Sequence, residues 1–177
     1  MIQQFLRSAP KFFWKYGIVL VLGGFIAYQL TFTWVPLWIN ASRLTGTDVS
    51  DFTVENEQGQ RIALREFRGA PLILNFWATW CTPCRFEIPQ LAKVYPVLQE
   101  QGKELLGINL REPWSAIRAY RKKVEIPYPV FKDNGSLADA LGIGVLPALA
   151  IVDAEGKLER IVFGFRPWVR WYLKWWL

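Results

Sequence analysis

Residues 71–77, Pro-Leu-Ile-Leu-Asn-Phe-Trp, form an almost unbroken apolar run that leads directly into Ala78-Thr79-Trp80-Cys81-Thr82-Pro83-Cys84, which holds the only two cysteines of the chain. A run of this length, with Gly69 before it and the cysteine segment after it, is a strand of the kind buried on both faces. A helical pattern follows over about 81–101. Such a strand needs helices packed against its sheet, so the cysteines fall at the strand's end and at the start of the next helix. Around this unit, 52–55 and 61–64 flank a Glu-Gln-Gly-Gln turn and read as a hairpin. The spacing further predicts a strand at 105–110, a helix at 114–124, a short helix at 136–141, and strands at 148–152 and 158–163 joined through 154–157. Strands alternating with helices and ending in a hairpin describe an α/β domain with a mixed sheet.

The position of the cysteines supplies a chemistry. Backbone N–H groups and the dipole at a helix N-terminus favour a thiolate there, which makes Cys81 the attacking sulfur and Cys84, one turn further in, the resolving one. Two cysteines at this spacing can close a small disulfide, and one thiolate can open a mixed disulfide that the other releases. Pro83 suits the first helical turn, where its missing N–H leaves no bond unmade. A structural zinc site would need two more ligands than this pair offers. A c-type haem site needs His after the second cysteine, where Arg85 stands. A purely structural bridge across two residues stabilises little, because the loop it closes is so short.

The chain has no histidine, which excludes a Ser-His-Asp triad, a Cys-His pair, an imidazole metal cage and a His-ligated haem. Its 177 residues fit one compact domain plus an apolar segment. The net charge of +6 resides at the two ends, since residues 43–159 carry 14 basic and 15 acidic groups. That distribution argues against nucleic acid as a partner and for ends that meet a membrane. Between Lys15 and Arg43 lie 27 uncharged residues, enough for one spanning helix. Trp14, Tyr16, Trp34 and Trp38 sit where interfacial aromatics would lie. Arg7, Lys11 and Lys15 on one side, against Arg43 alone on the other, orient the N-terminus to the cytoplasm. An uncleaved signal anchor is favoured over a cleaved signal peptide because no small-x-small site follows the apolar run cleanly.

The residues 74–85, Leu-Asn-Phe-Trp-Ala-Thr-Trp-Cys-Thr-Pro-Cys-Arg, with Glu87-Ile88-Pro89 after them and Gly144-Val145-Leu146-Pro147 later, resemble the membrane-anchored thioredoxin-like proteins of the TlpA/ResA group, relatives of CcmG/DsbE. The resemblance covers about 47–164 and implies a thioredoxin-like fold with an N-terminal β-hairpin, preceded here by one transmembrane helix. It implies a thiol:disulfide oxidoreductase without cofactor or metal, in which Cys81 and Cys84 form the redox-active disulfide. Pro147 matches the family's cis-proline, which guides the substrate backbone, while Trp80, Thr82, Pro83 and Leu146 are the implied substrate contacts. Leu146 replaces the Thr frequent before that proline. Glu87 matches the family's acid near the cysteines and is a candidate for moving the proton of Cys84; its bland alternatives are a solvated helix residue or an ion-pair partner. Asn75 stands where cytosolic thioredoxins carry a buried Asp.

The implied organisation is a cytoplasmic N-terminus at 1–15, a transmembrane signal anchor at 16–39, a linker at 40–49, the thioredoxin-like domain at 50–164 and a Trp-rich cationic helix at 165–177. Its catalytic domain would face the periplasm or outer surface of a bacterial inner membrane. The resemblance implies electrons arriving from a transmembrane thiol carrier of the DsbD/CcdA kind and leaving to protein disulfides, apocytochrome c foremost. An oxidant or isomerase is the alternative within the same chemistry, disfavoured because Thr82-Pro83 fills the slot where such oxidants often carry His. A copper-handling module using both cysteines is the alternative from another class, disfavoured because Met1 is the only methionine. Ala78, three residues before Cys81, occupies the place of the peroxiredoxin Thr. In the tail, helical spacing puts Arg166, Arg170 and Lys174 on one side and Trp168, Trp171, Tyr172, Trp175 and Trp176 on the other. Such a helix lies on a membrane, grips a membrane partner, or packs its Trp face on the sheet.

Overall fold

A computed structural model describes residues 2–29 and 44–175, with residues 2–15 and 175 described by their backbone alone. The chain divides into two compact units, Met1–Asn40 and Ala41–Leu177. In the first, helix α1 (Ile2–Gln29) presents outward-facing apolar side chains around its circumference, from Ile18 to Tyr28. Among the described residues no helix is long and apolar enough to cross a membrane. The span expected at 16–39 continues past Gln29 into residues 30–39, which lie outside the described residues, as do 40–43 of the linker.

The second unit contains one seven-stranded mixed sheet. Strands β1 (Thr53–Glu55) and β2 (Arg61–Ala63) form the expected hairpin, followed by a 3-10 turn at Leu64–Phe67. Strand β3 (Leu72–Trp77) is buried at every position, as its unbroken apolar run requires. Helix α2 (Thr82–Glu100) follows, then β4 (Glu104–Leu110), helix α3 (Trp114–Arg121) and β5 (Val130–Asp133). Next come helix α4 (Ser136–Ala140), β6 (Ala148–Val152), β7 (Leu158–Phe163) and helix α5 (Val169–Trp175). The strand order is β2-β1-β5-β4-β3-β6-β7, with β3, β4 and β5 parallel and the outer strands antiparallel. This is the thioredoxin-like arrangement with the hairpin added, joined to the sheet through the pairing of Glu55 with Lys132.

Strand β5 was not among the expected elements. It is four residues long, follows Pro127 and Pro129, and ends in Lys132-Asp133, so it carries neither an apolar run nor a clear alternation. Its place is set by long-range pairing with β4 rather than by local pattern. Helix α3 stops three residues short of expectation, at Arg121.

The sheet separates two interiors. Ile73 and Trp77 of β3 join the core under α2, α3 and α5. Leu72, Leu74 and Phe76 join the core under α4. The tail helix packs along α2 through Val169 and Leu173, four residues apart and fully buried. Of the readings left open for the tail, the contacts fit packing on the domain, but through Val169 and Leu173: Trp168 and Trp171 remain 57% and 66% exposed, and the side chains of Trp175 and Trp176 lie outside the described residues. The helix also starts at Val169, so Arg166 precedes it and is not part of a helical cationic stripe.

Candidate active site

Strand β3 delivers Cys81 to the N-terminus of α2, where it is the N-cap residue. Its Sγ accepts a hydrogen bond from the Cys84 backbone N–H at 3.2 Å, one of the orphan donors of the helix start. Thr82 and Pro83 form the exposed first turn. Cys81 and Cys84 are joined in a disulfide, with their Cα atoms 5.3 Å apart. In this oxidised form both are buried, at 4% and 1% exposure, Cys81 being the more accessible. Trp80 beside them is 69% exposed.

The Leu146–Pro147 peptide bond is cis. Ala148, the next residue, pairs with Phe76 near the end of β3, which places Pro147 at the same end of the sheet as the cysteines. The Gly164 N–H donates to the Pro147 carbonyl at 2.8 Å and ties the end of β7 to this loop. Pro147 is buried and Leu146 half-buried against both cores.

Glu87 lies one turn beyond Cys84 on the buried face of α2 and is 1% exposed, so the reading as a solvated helix residue does not hold. Asn75 Nδ2 donates to Glu87 Oε2 at 3.2 Å from β3. Burial pushes the Glu87 carboxyl up from 4.5 to about 7, against the opposing pull of the Asn75 hydrogen bond and of the Arg166 charge and backbone. Glu87 therefore changes charge near neutrality. Burial, helped by the Glu87 charge, also drives the Tyr128 phenol well above its ordinary range. Tyr128 OH, Trp77 Nε1 and Asn75 Oδ1 are buried in this region without a protein hydrogen-bond partner.

Three contributors were missed by the sequence reading. Glu112 accepts from the Thr79 N–H at 2.6 Å, the Thr79 hydroxyl at 2.5 Å and Asn109 Nδ2 at 2.8 Å, and so anchors the segment entering the disulfide. Arg166, read only as part of a cationic stripe on the tail helix, lies where its charge and backbone act on Glu87. Arg85 donates from Nε to the Thr79 carbonyl at 3.0 Å and stacks 6.0 Å over the Tyr120 ring. Glu112 alone had a usable signal, since a parallel β4 must end beside β3. Among the described residues no group of three or more His, Cys, Asp or Glu could hold a metal ion.

A disulfide at a helix N-terminus, on a thioredoxin-like sheet and at the same end as a cis-proline, defines a thiol:disulfide oxidoreductase. The comparisons with known proteins agree. Residues 45–161 match the model of the AhpC/TSA family. The ResA thiol-disulfide oxidoreductase of Bacillus subtilis is 31% identical over 163 residues, 90% of this chain and 88% of the relative. That of Geobacillus thermodenitrificans is 33% identical over 120 residues, 67% and 69% respectively. A solved Chlorobium tepidum structure, assigned as a thiol:disulfide interchange protein DsbE, superposes with a TM-score of 0.67 at 25% identity, covering 73% of this chain and 92% of that one. The chain belongs to the AhpC/TSA family and, within its thioredoxin-like members, to the TlpA/ResA group of protein-disulfide reductases.

Proposed function

We propose that this protein is a reductant of protein disulfides on the outer face of a bacterial inner membrane, held there by its N-terminal segment, and that apocytochrome c is its principal substrate. Electrons arrive from a transmembrane thiol carrier of the DsbD/CcdA kind. The Cys81 thiolate attacks a substrate disulfide, forming a mixed disulfide and releasing one substrate thiolate. The Cys84 thiolate then attacks Cys81 Sγ, which restores the Cys81–Cys84 bond and releases the second substrate thiolate. Two electrons pass to the substrate, and Glu87 takes the Cys84 proton before the second attack. Thr82, Pro83, Trp80, Leu146 and Pro147 hold the substrate chain.

The observation that carries the direction of flow is the buried carboxyl of Glu87 one turn from Cys84, in a motif without His. Strong oxidants of this chemistry are those whose reduced form is stabilised. A carboxylate near the resolving sulfur disfavours its thiolate, and so favours the disulfide and a low potential. The membrane location is supported by the 27 uncharged residues after Lys15 and by the all-round apolar surface of α1 from Ile18 to Tyr28. The test is the equilibrium potential of the Cys81/Cys84 pair against a dithiol buffer, followed by reduction of an oxidised apocytochrome peptide. A potential near or below roughly −270 mV is expected; one near about −120 mV would make the protein an oxidant instead.

A further inference from the structure

A groove of about 460 Å³ opens between α2 and α3, lined by Thr79, Arg85, Ala116, Ala119, Tyr120 and Lys123 among others. It adjoins the disulfide along the chain, since Thr79 lies two residues before Cys81 and the Arg85 N–H donates to the Cys81 carbonyl at 3.3 Å. Ala116 and Ala119 contribute only small side chains to its wall. Its charge has one sign, because among the described residues no acid lines it. Neighbouring cations behave differently: Arg118 and Arg121 are both paired with Glu57. Arg85 and Lys123 have no carboxylate partner among the described residues. Arg85 is oriented by the Thr79 carbonyl and the Tyr120 ring through Nε and the guanidinium face, which leaves its two terminal nitrogens for a ligand. Tyr120 contributes its ring to the wall, its hydroxyl being buried in the protein interior. Glu112, which holds Thr79 in place, has both oxygens committed to Thr79 and Asn109.

We infer that this groove is a specificity subsite that binds an aspartate or glutamate side chain of the substrate protein close to its target disulfide. A guanidinium fork and an ammonium around one cavity make a carboxylate receptor, and the open end suits a side chain carried on a longer peptide. The inference rests on the reading of the protein as a reductant, and it names the class of substrate sequence that the reductant prefers.

The experiment uses the full chain in detergent micelles, reduced beforehand, and three oxidised peptides that share one disulfide loop but carry Glu, Ser or Lys in the flanking positions. The expected kcat/KM for the Glu peptide exceeds that for the Lys peptide by about tenfold at low salt, with the difference in KM and most of it lost at 0.5 M salt. Lys123→Glu is the decisive variant, because Arg85 follows Cys84 and its charge acts on the thiols as well. This variant is expected to invert the ratio toward the Lys peptide. Equal kcat/KM for the three peptides, or a ratio that Lys123→Glu does not move, overturns the subsite. Failure to reduce any peptide speaks against the reductant reading instead; the ratio of peptide affinities to the oxidised protein then tests the groove alone, and equal affinities overturn it.

Discussion

Leu72, Leu74 and Phe76 point from β3 into an interior shared with Leu106, Ile108, Ala150 and Val152, whereas Ile73, Asn75 and Trp77, alternating with them, face α2. The first interior is apolar, and the one buried charge it holds among the described residues is engaged. Asp133 accepts from the backbone N–H groups of Leu137 at 3.3 Å and Ala138 at 2.9 Å and from the Ser136 hydroxyl at 3.4 Å, capping α4. The second interior holds Glu87, and with it the buried and unpartnered Asn75 Oδ1, Trp77 Nε1, Asn109 Oδ1, Tyr120 OH and Tyr128 OH. Each such atom costs about 1–3 kcal/mol if it stays dry. The same strand therefore carries stability on one side and chemistry on the other. The polar side is tolerable because the apolar side is sound.

Two substitutions separate these roles. Cys81→Ser is expected to abolish disulfide turnover while costing no more than about 2 kcal/mol of stability, because the four-residue ring it opens constrains the unfolded chain so little and Ser still caps a helix. Leu106→Ala is expected to do the opposite. It removes a fully buried side chain from the apolar interior, so about 2–5 kcal/mol of stability should go while turnover per folded molecule stays within about twofold. Denaturant melts together with peptide-disulfide kinetics on both variants measure this. A Leu106→Ala protein that folds well but has lost turnover would break the division between faces.

The titration of Glu87 sharpens it further. A carboxyl whose folded value is about 7 rather than 4.5 stays protonated in the native state over a range where the unfolded chain has already released its proton. The native state then binds the extra proton, so this group's contribution to stability is full below about pH 4.5 and is lost as the pH rises through 7. The loss amounts to about 3 kcal/mol for a shift of this size. Glu87→Gln, which cannot ionise, is expected to flatten that part of the pH dependence in the oxidised protein. It should also slow release of the mixed disulfide. Urea melts between pH 4.5 and 8 decide the first point, and a slope identical to that of the parent would remove Glu87 from the account.

The legible and illegible parts of this molecule divide along physical lines. Strand β3, its cysteines and α2 were readable because a buried strand has a run of apolar residues and a helix start has a distinctive residue set. The hairpin was readable from its Gly-containing turn. Strand β5 was not, since only pairing with β4 makes residues 130–133 a strand. Glu87 was readable as an acid one turn beyond Cys84, but its contacts with Asn75 and Arg166 come from distant parts of the chain. The tail stayed open for a related reason. Its tryptophans dominate the sequence, yet Val169 and Leu173 have the four-residue spacing that seats α5 on α2.

Gly107 gives the smallest and most local probe of the polar face. It lies on β4 opposite Val130, buried, where the side chains of Trp77 and Tyr128 come close over the strand. A methyl group placed there would stand 3.1 Å from Tyr128 Cε2 and 3.2 Å from Trp77 Nε1. Its backbone needs no positive φ, so the effect of Gly107→Ala is one of space rather than strain. Alanine restores some strand preference over glycine, which helps, but two large rings already held by the packing of α2 and α3 must then move by a few tenths of an ångström. Overpacking of this kind costs about 1 kcal/mol, at the low end because a small shift relieves it. A denaturant midpoint lowered by that amount, with the denaturant slope unchanged, is the expected result. A more stable Gly107→Ala protein would show that the polar interior has slack where Trp77 and Tyr128 meet, and would move the difference between the two faces from packing to hydrogen bonding alone.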